Sequence, residues 1–437
     1  MLKALATSLA VFTTAQAAQL TLSQALKEAL AQNPAYQAAQ NDVVLAEKSR
    51  DSAIGGYLPV ITASGGYGKS WQNTHQQRAS DGSVRDVNNA LTTTATAGVN
   101  ADWTLFQGFS TPLTQKRLRL QADQARAYEA KSREDLVRGA VLAYAELARQ
   151  TRLYHALDTV AVISEERARI LEQSLKAGAA SRSDWLSARV DLNGDQASLK
   201  RQAADLQAAR VELGRVLGRS QPVSEEVDEV ALPAIAMDLE KLLLGLPEHR
   251  PELQVAENSV AIAHVSAQQR ATNWLPKLDA LAGYNYTETK SDAGIYLKNR
   301  TLGPSVGLQL NFNLFSGEFP WSSYQRAKVA LTSAGLRQKD LQSSAEAEVR
   351  RNFAEFEATD SALTLESEGL GFAHENLSLT FTRWKAGSIS YLDARRAQEQ
   401  YLDAVVRSEN TAYDALRARL DLLRSAGRME LLVGTPR

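Results

Sequence analysis

The side chains of this sequence that could do chemistry are present but scattered. Five histidines occur, His75, His155, His249, His264 and His374, and imidazole is both a common metal ligand and the group whose charge changes near neutral pH. No two of them fall at the spacing that puts a pair of metal ligands on one helix face. Carboxylates are abundant, yet they interleave with Lys and Arg, as in Glu165-Glu166-Arg167, in the manner of solvated helix faces. Cysteine is absent, which excludes disulfides, thiolate metal sites, a thiol nucleophile and a lipid carried on an N-terminal cysteine. There is no phosphate-cradling glycine loop, dinucleotide fingerprint or nucleophile elbow. The expectation is therefore no enzyme: no catalytic residue, no cofactor and no metal site.

Bulk charge names no partner either. Lys and Arg total 49 against 50 Asp and Glu, a formal charge of −1 over 437 residues, which lacks the basic excess of a nucleic-acid binder. Gly and Pro are sparse and Ala, Leu, Gln, Arg and Glu dominate, the composition of long helices. Lys3, the apolar stretch Leu5 to Phe12 and Ala15-Gln16-Ala17 read as a cleavable export signal over 1–17. No later window has the apolar length of a spanning helix, so entry into a membrane would have to be by strands.

The elements that would position any site are duplicated. Thr21-Leu22 recurs as Asp238-Leu239, Asn33-Pro34 as Arg250-Pro251 and Tyr57-Leu58-Pro59 as Trp274-Leu275-Pro276, each displaced by 217. Trp103 to Gly108 recurs as Phe312 to Gly317, and Lys176-Ala177-Gly178, Ser181, Asp184 and Ala188 recur as Lys385-Ala386-Gly387, Ser390, Asp393 and Ala397, all displaced by 209. One indel between Trp71 and Asn89 reconciles the two offsets. The repeats are expected over 18–219 and 247–427, separated by a 220–246 segment and followed by a 428–437 tail.

Each repeat reads helix, strand, strand, long helix, long helix. Thr21 with Gln24 forms a capping box, and Asn33-Pro34 sets an N-cap before a proline at the first helical position. Period-two alternation predicts strands near 58–71, 91–106, 276–288 and 302–315, with polar tips over His75 to Asn89 and Thr287 to Arg300. Long helices are expected near 112–176, 182–218, 321–385 and 389–426. Trp185, Leu192, Leu199, Leu206 and Leu213, at spacing seven, make a coiled-coil seam.

Strands with one apolar and one polar face suit either a half-buried soluble sheet or a membrane barrel. The export signal, the strand lengths and the polar tips favour the barrel, with the tips facing the cell exterior. Four strands cannot close around water, and an open edge in lipid leaves unpaired backbone groups. Three chains giving twelve strands are the smallest set that leaves a channel, so a homotrimer in outer-membrane lipid is expected. Tyr57, Trp71, Trp103, Trp274 and Trp321 would then fall near strand ends as interfacial aromatics. A soluble periplasmic coiled-coil adaptor or scaffold would explain the helices but not the duplicated strands.

In its Leu-Pro strand entries, its Phe106-Gln107-Gly108 and Phe315-Ser316-Gly317 exits and its two glycine-led helical turns, the chain resembles the TolC-like outer-membrane efflux proteins over essentially its whole mature length. That resemblance implies a mainly α fold, with four strands per chain in a trimeric twelve-strand barrel on a coiled-coil tunnel. It implies a passive exit duct for efflux or type I secretion, docked to a periplasmic adaptor and through it to an inner-membrane pump. Gly178, Ser181, Gly387 and Ser390 correspond to adaptor-docking tips, and Asp184 and Asp393 to the periplasmic aperture; the local alternative is that glycine ends one helix and Ser or Asp caps the next. Some members carry a carboxylate three residues after the second aspartate; Arg396 stands there in this chain, which argues against strong cation selectivity.

Overall fold

The computed structural model describes residues 19–228, 230, 237–294, 296–313 and 320–433. The 1–17 signal, the Phe315-Ser316-Gly317 exit, residues 231–236 of the segment between the repeats and residues 434–437 of the tail lie outside the described residues. In chain order the elements are β1 (Gln19–Leu20), α1 (Leu22–Gln32), α2 (Pro34–Ser52), β2 (Val60–Gln77), β3 (Val84–Gln107), α3 (Ser110–Lys176) and α4 (Arg182–Leu217). There follow β4 (Glu226–Val227), α5 (Leu239–Leu244), α6 (Leu246–His249), α7 (Pro251–Ala271), β5 (Lys277–Ser291), β6 (Lys298–Asn311), α8 (Pro320–Lys385), α9 (Tyr391–Ser425) and α10 (Glu430–Val433). Helix, two strands and two long helices thus run in the same order twice.

The chain divides into two compact units. Among the described residues, one draws on the ranges 19–41, 127–255 and 339–433, the other on 42–126 and 256–338. In the first, α1 starts where the sequence places it: Gln24 N–H donates to Thr21 Oγ1 at 3.3 Å, and Thr21 N–H donates to Gln24 Oε1 at 3.0 Å. Asn33 caps α2 by accepting from the N–H groups of Ala35 and Tyr36, while its amide donates to the Val216 carbonyl at 3.0 Å and so ties the cap to the end of α4. The core beside these caps joins Leu26 of α1, Val141 and Tyr144 of α3, Leu213 and Leu217 of α4, and Leu420 and Leu423 of α9. Tyr144 is buried, but its hydroxyl is satisfied: it donates to Leu20 O at 2.7 Å and accepts from Asp228 N–H at 2.9 Å. It thereby braces the two-residue parallel pairing of β1 with β4, which alternation cannot announce at that length.

The other unit contains an antiparallel sheet in the order β2-β3-β5-β6. Its ladder is longer than the alternating pattern implies. Pairing continues past a bulge between Gln72 and Thr74 through Thr74↔Val87, His75↔Asp86 and Gln77↔Val84, so the first tip is only the turn at 78–83 and not His75 to Asn89. Polar cross-strand pairs keep the backbone ladder satisfied there although no apolar face requires it. Likewise β5 and β6 pair out to Lys290↔Lys298, which shortens the second tip; β6 runs to Asn311, and positions 314 and 315 of the expected strand lie outside the described residues.

Candidate functional site: an amphiphilic sheet and two glycine turns

Register fixes the faces of the sheet, because directly paired residues in adjacent strands project to the same side. One row runs Ile61, Ala101, Ala282, Val306; the next runs Ala63, Val99, Tyr284, Pro304; the third runs Gly65, Ala97, Tyr286, Leu302. Between them the alternate rows carry Thr62, Asn100, Gly283, Ser305 and then Ser64, Gly98, Asn285, Gly303. The sheet is therefore apolar on one side and small or polar on the other. The apolar side is not buried: Val306 is 87% exposed and Leu308 73%. Among the described residues, β2 and β6 are each paired along one side only. An exposed apolar face with two open edges is not a finished soluble surface.

The aromatics expected near strand ends are exposed. Tyr57 and Trp274 end the short 3-10 turns that precede β2 and β5, Trp103 lies four residues before the end of β3, and Trp321 is in the first turn of α8. Trp103 Nε1–H donates to Tyr57 O at 3.0 Å, which fixes the ring against the strand entry. Trp71 sits differently: because β2 continues to Gln77, it is a mid-ladder residue opposite Leu91.

The two helical turns repeat one construction. Gly178 and Gly387 hold φ of 72° and 70°, the left-handed region that glycine enters without a steric penalty. Each closes a helix end: Ala179 N–H donates to Ser174 O at 2.8 Å and Ser388 N–H to Arg383 O at 3.0 Å. The next helix is then capped by serine. Ser181 Oγ accepts from Asp184 N–H at 3.0 Å and donates to the Asp184 carboxylate at 2.7 Å; Ser390 and Asp393 do the same at 3.2 and 2.6 Å. The hydrogen bond from Ser390, helped by the Arg396 charge, holds the Asp393 carboxyl below the usual range. Gly178, Ser181, Asp184, Gly387, Ser390, Asp393 and Arg396 are all exposed. The turns lie at one end of a four-helix packing, since Leu171 of α3, Ala188 and Leu192 of α4, Trp384 of α8 and Ala394 of α9 form one buried cluster with Ala180 and Ile389 against it.

Behind that cluster is a polar network that sequence reasoning missed. Arg395 of α9 donates to Asp195 of α4 at 2.8 Å, and Tyr391 hydrogen-bonds Asp191. Gln398 donates to Val160 O and Ser164 Oγ at 3.0 and 2.9 Å. Arg167 is 1% exposed, stacks over the Tyr391 ring at 5.2 Å, and leaves Nε and Nη1 without a partner in the structure. Burial lowers the affinity of its guanidinium for the proton. The available signal was a second track at spacing seven on α4, Ala188, Asp195, Gln202 and Ala209, in which two polar residues occupy core positions.

A four-stranded amphiphilic membrane sheet combined with paired long helices defines a class, and comparison with known proteins gives it a family. The model of the outer membrane efflux protein family matches residues 25–219 and 245–428. The chain belongs to that family, an outer-membrane channel family and not an enzyme family. It is 21% identical over 415 residues to outer membrane efflux protein BepC of Brucella suis, covering 94% of this chain and 86% of BepC. It is 24% identical over 409 residues to alkaline protease secretion protein AprF of Pseudomonas aeruginosa, covering 89% and 81% of the two chains. Its fold superposes on the CmeC outer membrane channel of Campylobacter jejuni with a TM-score of 0.76 at 14% identity, over 95% of this chain and 87% of CmeC.

Proposed function

We propose that three copies of this chain close a twelve-stranded barrel, with β2 of each copy pairing with β6 of the next, and that the assembly is a passive exit duct through the outer membrane. The observation that carries this is the four-stranded sheet whose apolar face is exposed and whose β2 and β6 edges are both open. In lipid each unpaired backbone group costs several kcal/mol, and pairing with further copies removes that cost on both edges at once. The small and polar face, with Gly, Ser, Thr and Asn, then lines water.

In this reading Gly178, Ser181, Gly387 and Ser390 form the exposed tips that meet a periplasmic adaptor coupled to an inner-membrane pump. Asp184, Asp393 and Arg396 surround the aperture, and Tyr57, Trp103, Trp274 and Trp321 sit at the membrane interface. Arg396 offsets Asp393 around the ring and leaves Asp184 as the excess carboxylate of each copy, so cation selectivity weaker than that of an all-carboxylate ring is expected. BepC is named for efflux and AprF for protease secretion, and both kinds of cargo suit a conduit that carries no catalytic group of its own. The test is single-channel recording of the full chain in a planar bilayer: stable conductance steps with weak cation preference support the duct, and an inert bilayer sinks it.

A further inference from the structure

We propose that the outer end of the apolar sheet face binds phosphate groups carried by lipids of the outer leaflet. The inference rests on the reading that the 78–83 turn faces the cell exterior.

The ladder register carries it. From Leu278 to Tyr286 the face is apolar for about 27 Å along β5, close to the roughly 25 Å band of a membrane barrel. The next row on that face contains Tyr67, Ala95, Glu288 and Arg300, and the row after it Lys69, Thr93, Lys290 and Lys298. Three of four strands thus place a lysine in one row, the second row past the apolar band. The opposite face at the same level carries Gly68, Thr94, Thr289 and Asn299, then Ser70, Thr92 and Ser291, with no charge. At these levels the cations lie on the lipid side and none lies on the water-lining side, so general solubility of the tip does not account for them.

Glu288 is the one carboxylate in these two rows. It lies 2.9 Å from Arg300, 3.1 Å from Lys298 and 3.7 Å from Lys290, so it holds three cations together without neutralising them. Arg300 is placed over the Tyr286 ring at 5.8 Å, at the edge of the apolar band. Lys69 has no carboxylate partner among the described residues. All four cationic side chains are exposed. Ammonium groups on flexible stems are well suited to a phosphate dianion, and the adjoining apolar band accepts the acyl chains of the same molecule. That pairing of a cationic row with a lipid-facing surface selects a lipid-borne phosphate over a free anion.

The experiment uses the full chain in nonionic detergent, with binding of a phosphorylated acyl-glucosamine disaccharide and of its dephosphorylated form read by native mass spectrometry. The phosphorylated lipid is expected to bind the wild type in preference to the dephosphorylated one. Replacing Lys69, Lys290 and Lys298 together by Gln is expected to weaken binding about a hundredfold, whereas replacing all three by Arg preserves it. Equal binding of the two lipids, undiminished binding to the Gln variant, or displacement by millimolar inorganic phosphate would each overturn the proposal. Orientation is read separately. The chain has no cysteine, so Ser80→Cys gives a single thiol in the 78–83 turn, and a membrane-impermeant maleimide should label it on intact cells. Absence of labelling would overturn the underlying orientation and the lipid site with it. Labelling with undiminished lipid binding in the Gln variant would overturn the lipid site alone.

Discussion

Arg395 Nη1 lies 2.8 Å from Asp195 Oδ2, joining α9 to α4 through side chains that are 18% and 10% exposed. Removing one partner of such a pair leaves the other buried and uncompensated, which costs about 3 to 5 kcal/mol. Arg395→Ala is therefore expected to lower the thermal midpoint strongly and to speed proteolysis at the Gly178 and Gly387 turns. Arg167→Met should cost less than Arg395→Ala, because Arg167 already has two unpartnered nitrogens. Equal losses in the two variants would contradict the reading of the network.

Gly218 and Gly427 end α4 and α9 at equivalent points, with φ of 83° and 67°. A Cβ at Gly218 would lie 2.5 Å from Gln32 O, and one at Gly427 2.5 Å from His249 O. Backbone cannot retreat as a side-chain tip can, so either Gly→Ala change is expected to cost more than the roughly 1 kcal/mol of an open glycine site. Gly178→Ala has nothing within 4 Å and serves as the comparison. Chemical denaturation of the three variants checks the order.

Burial, with Glu252 and Glu430 nearby, pushes the Glu134 carboxyl up to about 8. Its side chain lines a cavity of about 220 Å³ with Arg133, Glu248 and His249. A carboxyl with a raised folded-state value binds its proton more tightly when folded. Its contribution is therefore fully present below the ordinary value of 4.5 and is lost as pH rises through 8. Glu134→Gln should be nearly neutral at acid pH and stabilising, on the order of a few kcal/mol at most, at pH 9. Melting curves across that range test the sign, and a variant less stable than wild type at pH 9 would refute it.

Tyr144→Phe keeps the ring packed but removes the hydroxyl that bridges Leu20 O and Asp228 N–H. A loss of about 1 to 3 kcal/mol is expected. Faster amide exchange confined to β1 and β4 would locate it there.

Much of this architecture is written in short-range periodicity. Alternation through Ala95, Ala97, Val99 and Ala101 announces an amphiphilic strand, and Leu192, Leu206 and Leu213 of the seam are buried. The caps at Thr21, Asn33, Ser181 and Ser390 are legible because a cap is a local hydrogen bond between residues two or three apart. The polar network was not legible, because Asp195 receives its partner Arg395 from a helix 200 residues away. The outer ladder was missed for a different reason: His75↔Asp86 and its neighbours are paired by backbone with no apolar face to mark them. The lysine row appears only once register aligns Lys69, Lys290 and Lys298, since no spacing within one strand predicts it.

The mass of the detergent-solubilised chain, measured after cross-linking single cysteines placed in β2 and in β6, addresses the central claim most directly. Three copies joined in a closed ring by β2-to-β6 cross-links are predicted. A chain that stays at the mass of one copy, with neither edge cross-linked, would contradict it.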